Sequence, residues 1–91
     1  MKKNIRDIEV NYIQYGKKDG KDIVLLHGWG QNIEMMMPLG DKLLNYHITI
    51  LDFPGFGESD EPKTSLTIYD YVEILEELLS QLNINRPIVM G

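Results

Sequence analysis

The spacing of apolar and polar residues changes from one stretch of the chain to the next, and each pattern predicts an element. Ile8, Val10 and Tyr12 alternate with polar neighbours. Ile13 and Tyr15 then shift parity, which predicts one bent strand or a hairpin over residues 5–16. KKDGKD at 17–22 is a turn with Asp19-Gly20 at its tip. IVLL at 23–26 is apolar without interruption, as in a strand covered on both faces. Residues 32–45 predict a helix capped by Asn32. Pro38 suits only a first turn and Gly40 costs about 1 kcal/mol against Ala, so a ragged start near 33–36 is expected. HITILDF at 47–53 predicts the next strand, and PGFGESDEPK at 54–63 a loop.

The clearest helix follows. Ile68, Val72, Leu75, Leu79 and Leu82 recur at 3–4 spacing, with Tyr71 and Leu78 widening the stripe and Glu73, Glu76 and Glu77 facing water. Thr67 and Asp70 form a capping-box pattern with Asp in place of Glu. Asn83 to Asn85 end this helix, and Pro87 opens a last apolar strand over 87–90, with Gly91 as the first residue of a turn. Strand–helix–strand–helix–strand after an N-terminal β segment argues for an α/β fold with a mostly parallel sheet.

Composition narrows the function classes. Ninety-one residues make at most one domain, spanning 1–91. A net charge of −5 argues against nucleic acid, which needs clustered Lys and Arg. The absence of cysteine excludes disulfides and thiolate metal sites. The N-terminal MKKNIRDIEV has no apolar segment behind its lysines, and no apolar run approaches the roughly 18 residues of a membrane span, so a cytoplasmic location is expected. His27 and His47 share no standard spacing with carboxylates, so no metal and no cofactor are expected.

Three stretches bear on chemistry. In LLHGWGQN (25–32) a buried strand runs into His27-Gly28-Trp29-Gly30, where glycines allow a sharp turn and close approach of backbone N–H groups to an oxyanion. The stretch equally fits a plain strand-to-helix turn. In LDFPGFGES (51–59), Pro54, Gly55 and Gly57 make a tight loop that redirects the chain. Gly57-Glu58-Ser59 comes near the G-x-S-x-G nucleophile elbow, but the second glycine is missing and no strand leads into it, so Ser59 is not read as a nucleophile. The terminal IVMG supplies the strand and first glycine of such an elbow.

Taken together, HGWGQN after IVLL, DFPGFGES after HITIL, the amphipathic helix and IVMG resemble the N-terminal half of an α/β-hydrolase. The resemblance runs from about residue 8 to the end of the chain. It implies a partial α/β-hydrolase fold in which 87–90 lies beside 23–26. It also implies that the backbone N–H of Trp29 is an oxyanion-hole donor in acyl transfer on an ester, amide or related bond. His27, Gly28 and Gly30 would shape that turn, and Asp52 would anchor the following loop with Pro54, Gly55, Gly57 and Ser59. Gly91 would open the elbow, with the nucleophile two positions later. Met35, Met36 and Met37 would line an acyl pocket or fill the core, and His47 would be a surface residue. The chain alone, without nucleophile, acid and base, is expected to be inactive, a loss on the order of 10⁶ in rate. Its partners would be the small-molecule substrate of the complete enzyme and either a C-terminal half or a second copy, joined through strand 87–90.

Two other classes compete. One is a dinucleotide-binding half: Gly28 and Gly30 follow a strand and Asp52 lies 24 residues beyond Gly28, but Ile33 stands where the third glycine belongs. The other is a short scaffold or binding protein that keeps the fold without the chemistry.

Overall fold

The computed structural model describes residues 1–27 and 32–91. Two adjacent residues with left-handed backbone, Arg6 (φ 53°) and Asp7 (φ 63°), turn the chain between β1 (Lys2–Ile5) and β2 (Ile8–Gly16). Such two-residue turns match the twist of paired strands, so the N-terminal segment is a hairpin whose second strand runs unbroken through the parity shift, pairing β1 before it and β4 after it. It continues into β3 (Asp22–Leu26), α1 (Ile33–Gly40), β4 (His47–Leu51), α2 (Ile68–Gln81) and β5 (Ile88–Met90).

The five strands form one sheet in the order β1-β2-β4-β3-β5. β3 pairs parallel with β4 on one side and with β5 on the other, placing Ile23 beside both Ile48 and Ile88. The β1–β2 hairpin joins antiparallel through β2, with Tyr12 opposite Leu51. β3 is apolar without alternation from Ile23 to Leu26 because both faces are covered, and β4 buries Thr49 among Ile48, Ile50 and Leu51 for the same reason. Ile23, Leu25, Ile48 and Ile50 form one core cluster with Ile33 of α1. Val24 and Leu51 join Ile5, Val10, Ile74 and Leu78 in the other, under α2. The result is three layers, α1, sheet and α2.

The helices depart from expectation in instructive ways. Asn32 does cap α1, its side chain accepting from the Met35 N–H, and the start at Ile33 is clean rather than ragged. The helix stops at Gly40, short of residue 45, and Pro38 lies in its second turn. Residues 41–43 continue as tight turns, with Lys42 and Leu43 donating to the carbonyls of Leu39 and Gly40. Gly40 sits beneath the Tyr15 ring: a Cβ there would fall 2.0 Å from the hydroxyl. Burial, with the neighbouring Asp41 carboxylate, holds that phenol above its usual pKa.

α2 begins where predicted, with Thr67 and Asp70 closing a reciprocal capping box. Its buried face is rotated from the predicted stripe. Ile74, Leu78 and Leu79 are buried, whereas Ile68 is 70% exposed and Val72 48%. The hairpin turn sets this rotation. Ile5 and Ile8 pack against Ile74 and Leu78, while Arg6 reaches over the helix to Asp70, Glu73 and Glu77. Glu73 and Glu77 are therefore exposed as expected, but paired. His47 is not a free surface residue either: it is partly buried, and its Nδ1 lies 2.7 Å from Asp22 Oδ1 at the amino ends of β3 and β4. β5 has a buried-type composition, yet all three residues are exposed because the strand has a neighbour on one side only.

Candidate active site

The candidate site lies at the carboxyl ends of β3, β4 and β5, where the order reverses direction around β3. Crevices of this kind receive ligands in open α/β sheets. β3 delivers His27, and β5 ends at Gly91, where an added Cβ would touch Leu26 at 3.9 Å. Trp29, Gly28 and Gly30 lie outside the described residues, so the site is built from what flanks them.

β4 delivers Asp52, only 2% exposed, at the centre of a polar web. One carboxylate oxygen accepts the N–H of Ile33, the first residue of α1, at 2.8 Å. The other accepts Asn11 Nδ2 at 3.1 Å and the Glu58 N–H at 3.0 Å. A buried carboxylate is tolerable only when its lone pairs are filled in this way. The next residue, Phe53, donates its N–H to His27 Nε2 at 3.0 Å. That bond assigns the neutral His27 proton to Nδ1. The His27 ring stands edge-on to Phe53 and Phe56, with centroids 5.1 and 5.6 Å away.

The loop after β4 is shaped by this carboxylate. Gly57 has φ +52°, and a Cβ there would lie 2.3 Å from the Asp52 carboxylate, so both conformation and space require glycine. Gly55, at φ +88°, donates to the Asp60 carbonyl, and Pro54 is fully buried. Ser59 is 8% exposed. Its hydroxyl accepts the Asn11 N–H at 2.8 Å and donates to the Asp52 carbonyl, so it ties strand to loop.

Asn11 was not singled out from the sequence. It meets Asp52 three ways: side chain to carboxylate, carbonyl to the Asp52 N–H, and N–H to the Ser59 hydroxyl that bonds the Asp52 carbonyl. Its one signal was an Asn, poor in strands, interrupting the apolar run Val10–Tyr12.

Other expectations resolve differently. Asp52 has no oxygen turned toward a ribose, since both serve protein donors. This counts against the dinucleotide reading. Of the three methionines, Met35 is 60% exposed, Met36 packs against the α1-side core, and Met37 borders a cleft of about 380 Å³ beside Asp52 and Glu58. A larger cleft of about 640 Å³, between the β1–β2 turn and residues 60–66, has no histidine in its wall. Among the described residues no group of His, Cys, Asp and Glu could hold a metal, and no helix is long and apolar enough to cross a membrane.

Comparison with known proteins places the chain in a family. The family model described as alpha/beta hydrolase fold matches residues 22–91, and the chain belongs to that family. Its relatives are hydrolases. A haloalkane dehalogenase of Psychrobacter cryohalolentis is 31% identical over 88% of this chain and 28% of its own length. A pimeloyl-[acyl-carrier protein] methyl ester esterase of Shewanella woodyi is 46% identical over 45% of this chain and 16% of its own length. The chain thus spans less than a third of either relative. Among solved structures, the enol-lactonase of Burkholderia xenovorans superposes with a TM-score of 0.92 over 98% of this chain and 35% of that one, at 24% identity. That likeness speaks for the fold alone.

Proposed function

We propose that this chain is the N-terminal part of a serine α/β-hydrolase that cleaves an ester, amide or related bond by acyl transfer. The reading rests on one juxtaposition: His27, the first residue of the HGWG motif, leaves β3 beside the carboxyl end of β5, where Gly91 sits. A backbone donor at Trp29 would stabilise the oxyanion, and a serine two positions after Gly91 would attack the carbonyl. His27, Gly28 and Gly30 shape the donor turn; Asp52, Pro54, Gly55, Gly57 and Ser59 hold the loop behind it.

The 91 residues alone lack the working parts. Both histidines are engaged, His27 Nε2 with the Phe53 N–H and His47 Nδ1 with Asp22. Ser59 is buried in backbone bonds. The chain should therefore show no esterase turnover and no labelling by a fluorophosphonate probe. The native product of the gene, in its source cell, should carry more chain after Gly91 and take the probe on a serine two positions on. Labelling of the 91-residue chain itself would sink the reading by placing an activated serine within it, and a native product of 10.5 kDa without hydrolase activity would sink it in favour of a non-catalytic scaffold.

The breadth of the dehalogenase match supports a second reading, cleavage of a carbon–halogen bond by a carboxylate nucleophile at the same elbow position. Halide release without fluorophosphonate labelling would select it. The open β5 edge belongs to the same picture. In the 91-residue chain on its own, that edge pairs with a second copy.

A further inference from the structure

We propose that His27 and Asp52 are positioning residues that form a two-point latch across the HGWG turn. The motif begins at His27, directly after β3, and regular structure resumes at Ile33. Both ends are bonded to consecutive residues of the segment leaving β4. At the departure, the His27 imidazole accepts the Phe53 N–H at 3.0 Å. At the re-entry, the Asp52 carboxylate accepts the Ile33 N–H at 2.8 Å. The two bonds run in opposite senses: a turn side chain takes a loop amide, and a loop side chain takes a turn amide. Residues 52 and 53 cannot move apart, so His27 and Ile33 are held at a fixed separation.

The latch is itself braced. Asn11 of β2 and the Glu58 N–H hold the second Asp52 oxygen, and Gly57 leaves room for it. Phe53 and Phe56 pack edge-on against the His27 ring. Asp52 and His27 are both almost fully buried, so neither bond competes freely with water. This explains why the two motifs occur as a pair in one chain: each contains the acceptor for an amide within the other or directly after it. Their role in presenting an oxyanion donor rests on the hydrolase reading, whereas the latch itself does not.

The 91-residue chain carries its own reporter, because Trp29 is its sole tryptophan. In the wild-type chain, ¹⁵N NMR should find His27 Nε2 unprotonated, and the Ile33 and Phe53 amides should exchange at least about 100-fold more slowly than unstructured amides. A protonated Nε2 or unprotected amides would overturn the inference without any variant.

His27→Phe keeps an aromatic ring against Phe53 and Phe56 but removes the acceptor; His27→Gln keeps an acceptor near the Nε2 position. The Phe variant should speed exchange at Phe53 about tenfold and raise Trp29 quenching by acrylamide about twofold with the far-UV CD unchanged, and the Gln variant should restore both. Asp52→Leu, which removes both acceptor oxygens at similar volume, should do the same at Ile33, whereas Asp52→Asn keeps an Oδ1 that can accept the Ile33 N–H and should restore it. Folded variants that merely melt earlier, with Trp29 quenching and both amides as in the wild type, would reduce His27 and Asp52 to ordinary core residues. The hydrolase reading fails separately, if no nucleophile follows Gly91, and leaves these measurements untouched.

Discussion

The two edges of the sheet are opposites in construction. β1 is short and carries Lys2, Lys3 and Asn4, with only Ile5 turned into the core. Its start is tied by the Met1 amino group to the Tyr12 carbonyl, and the turn after it is pinned by Arg6 to three carboxylates of α2. β5 carries no charge, and Ile88, Val89 and Met90 are all exposed. Charged edge strands discourage pairing with other chains, whereas bare apolar edges invite it. β1 therefore has the character of a guarded edge, and β5 that of an open apolar one. The exposed Ile68 and Val72 of α2 extend the same contrast to the helix layer.

The contrast can be broken residue by residue. Ile5→Ala should cost the most, about 3 kcal/mol by denaturant unfolding, because Ile5 is fully buried between hairpin and helix. Val89→Ala, on a half-exposed residue, should stay within about 0.5 kcal/mol; comparable losses at both sites would erase the distinction between the edges. Next is Val89→Lys, which gives β5 the chemistry of β1. Light scattering should find the wild-type chain self-associated and this variant shifted towards 10.5 kDa. A wild-type chain that stays monomeric at high concentration would show that β5 needs no cover.

Arg6→Ala should lower the melting temperature slightly, and high salt should bring the wild type towards the variant, since all three pairs are solvent-exposed. Salt-independence would mean that the turn holds by backbone geometry alone. The smallest effect concerns acid. Bonds from the Thr67 backbone and hydroxyl, then the Arg6 charge, hold Asp70 below its usual carboxylate pKa. A depressed native value stabilises the fold above the unfolded Asp pKa, about 3.9, and that contribution fades as pH falls through the lower native value. Asp70→Asn should therefore flatten the acid limb of the stability curve slightly and leave neutral pH nearly unchanged beyond the weakened cap.

Much of this was legible in the chain. The uninterrupted apolar run at 23–26 marked a strand covered on both faces, and HITIL marked the next strand. Asn32, Thr67 and Asp70 marked helix starts, because capping is a local bond between a side chain and an amide two or three residues on. The two glycine-bearing motifs located the candidate site. Pro38 misled: a proline in the second turn forgoes one backbone bond, and a helix of 8 residues packed on Leu25 and Ile50 tolerates the loss.

The amino-acid sequence by itself determined which elements form, in what order, and which residues would meet at the carboxyl ends of the strands. Periodicity, capping and turn chemistry act within a few residues of their origin. Three matters were decided only by the tertiary structure. The rotation of α2 was one, because Ile68–Val72 and Tyr71–Ile74–Leu78 are overlapping stripes and only the hairpin packed against the helix selects between them. The pairing of His47 with Asp22 was another, since it joins neighbouring strands. The third was the web joining Asn11, His27, Ile33, Asp52 and Ser59. Its bonds span 7 to 48 residues of chain, and no local pattern encodes a partner that distant.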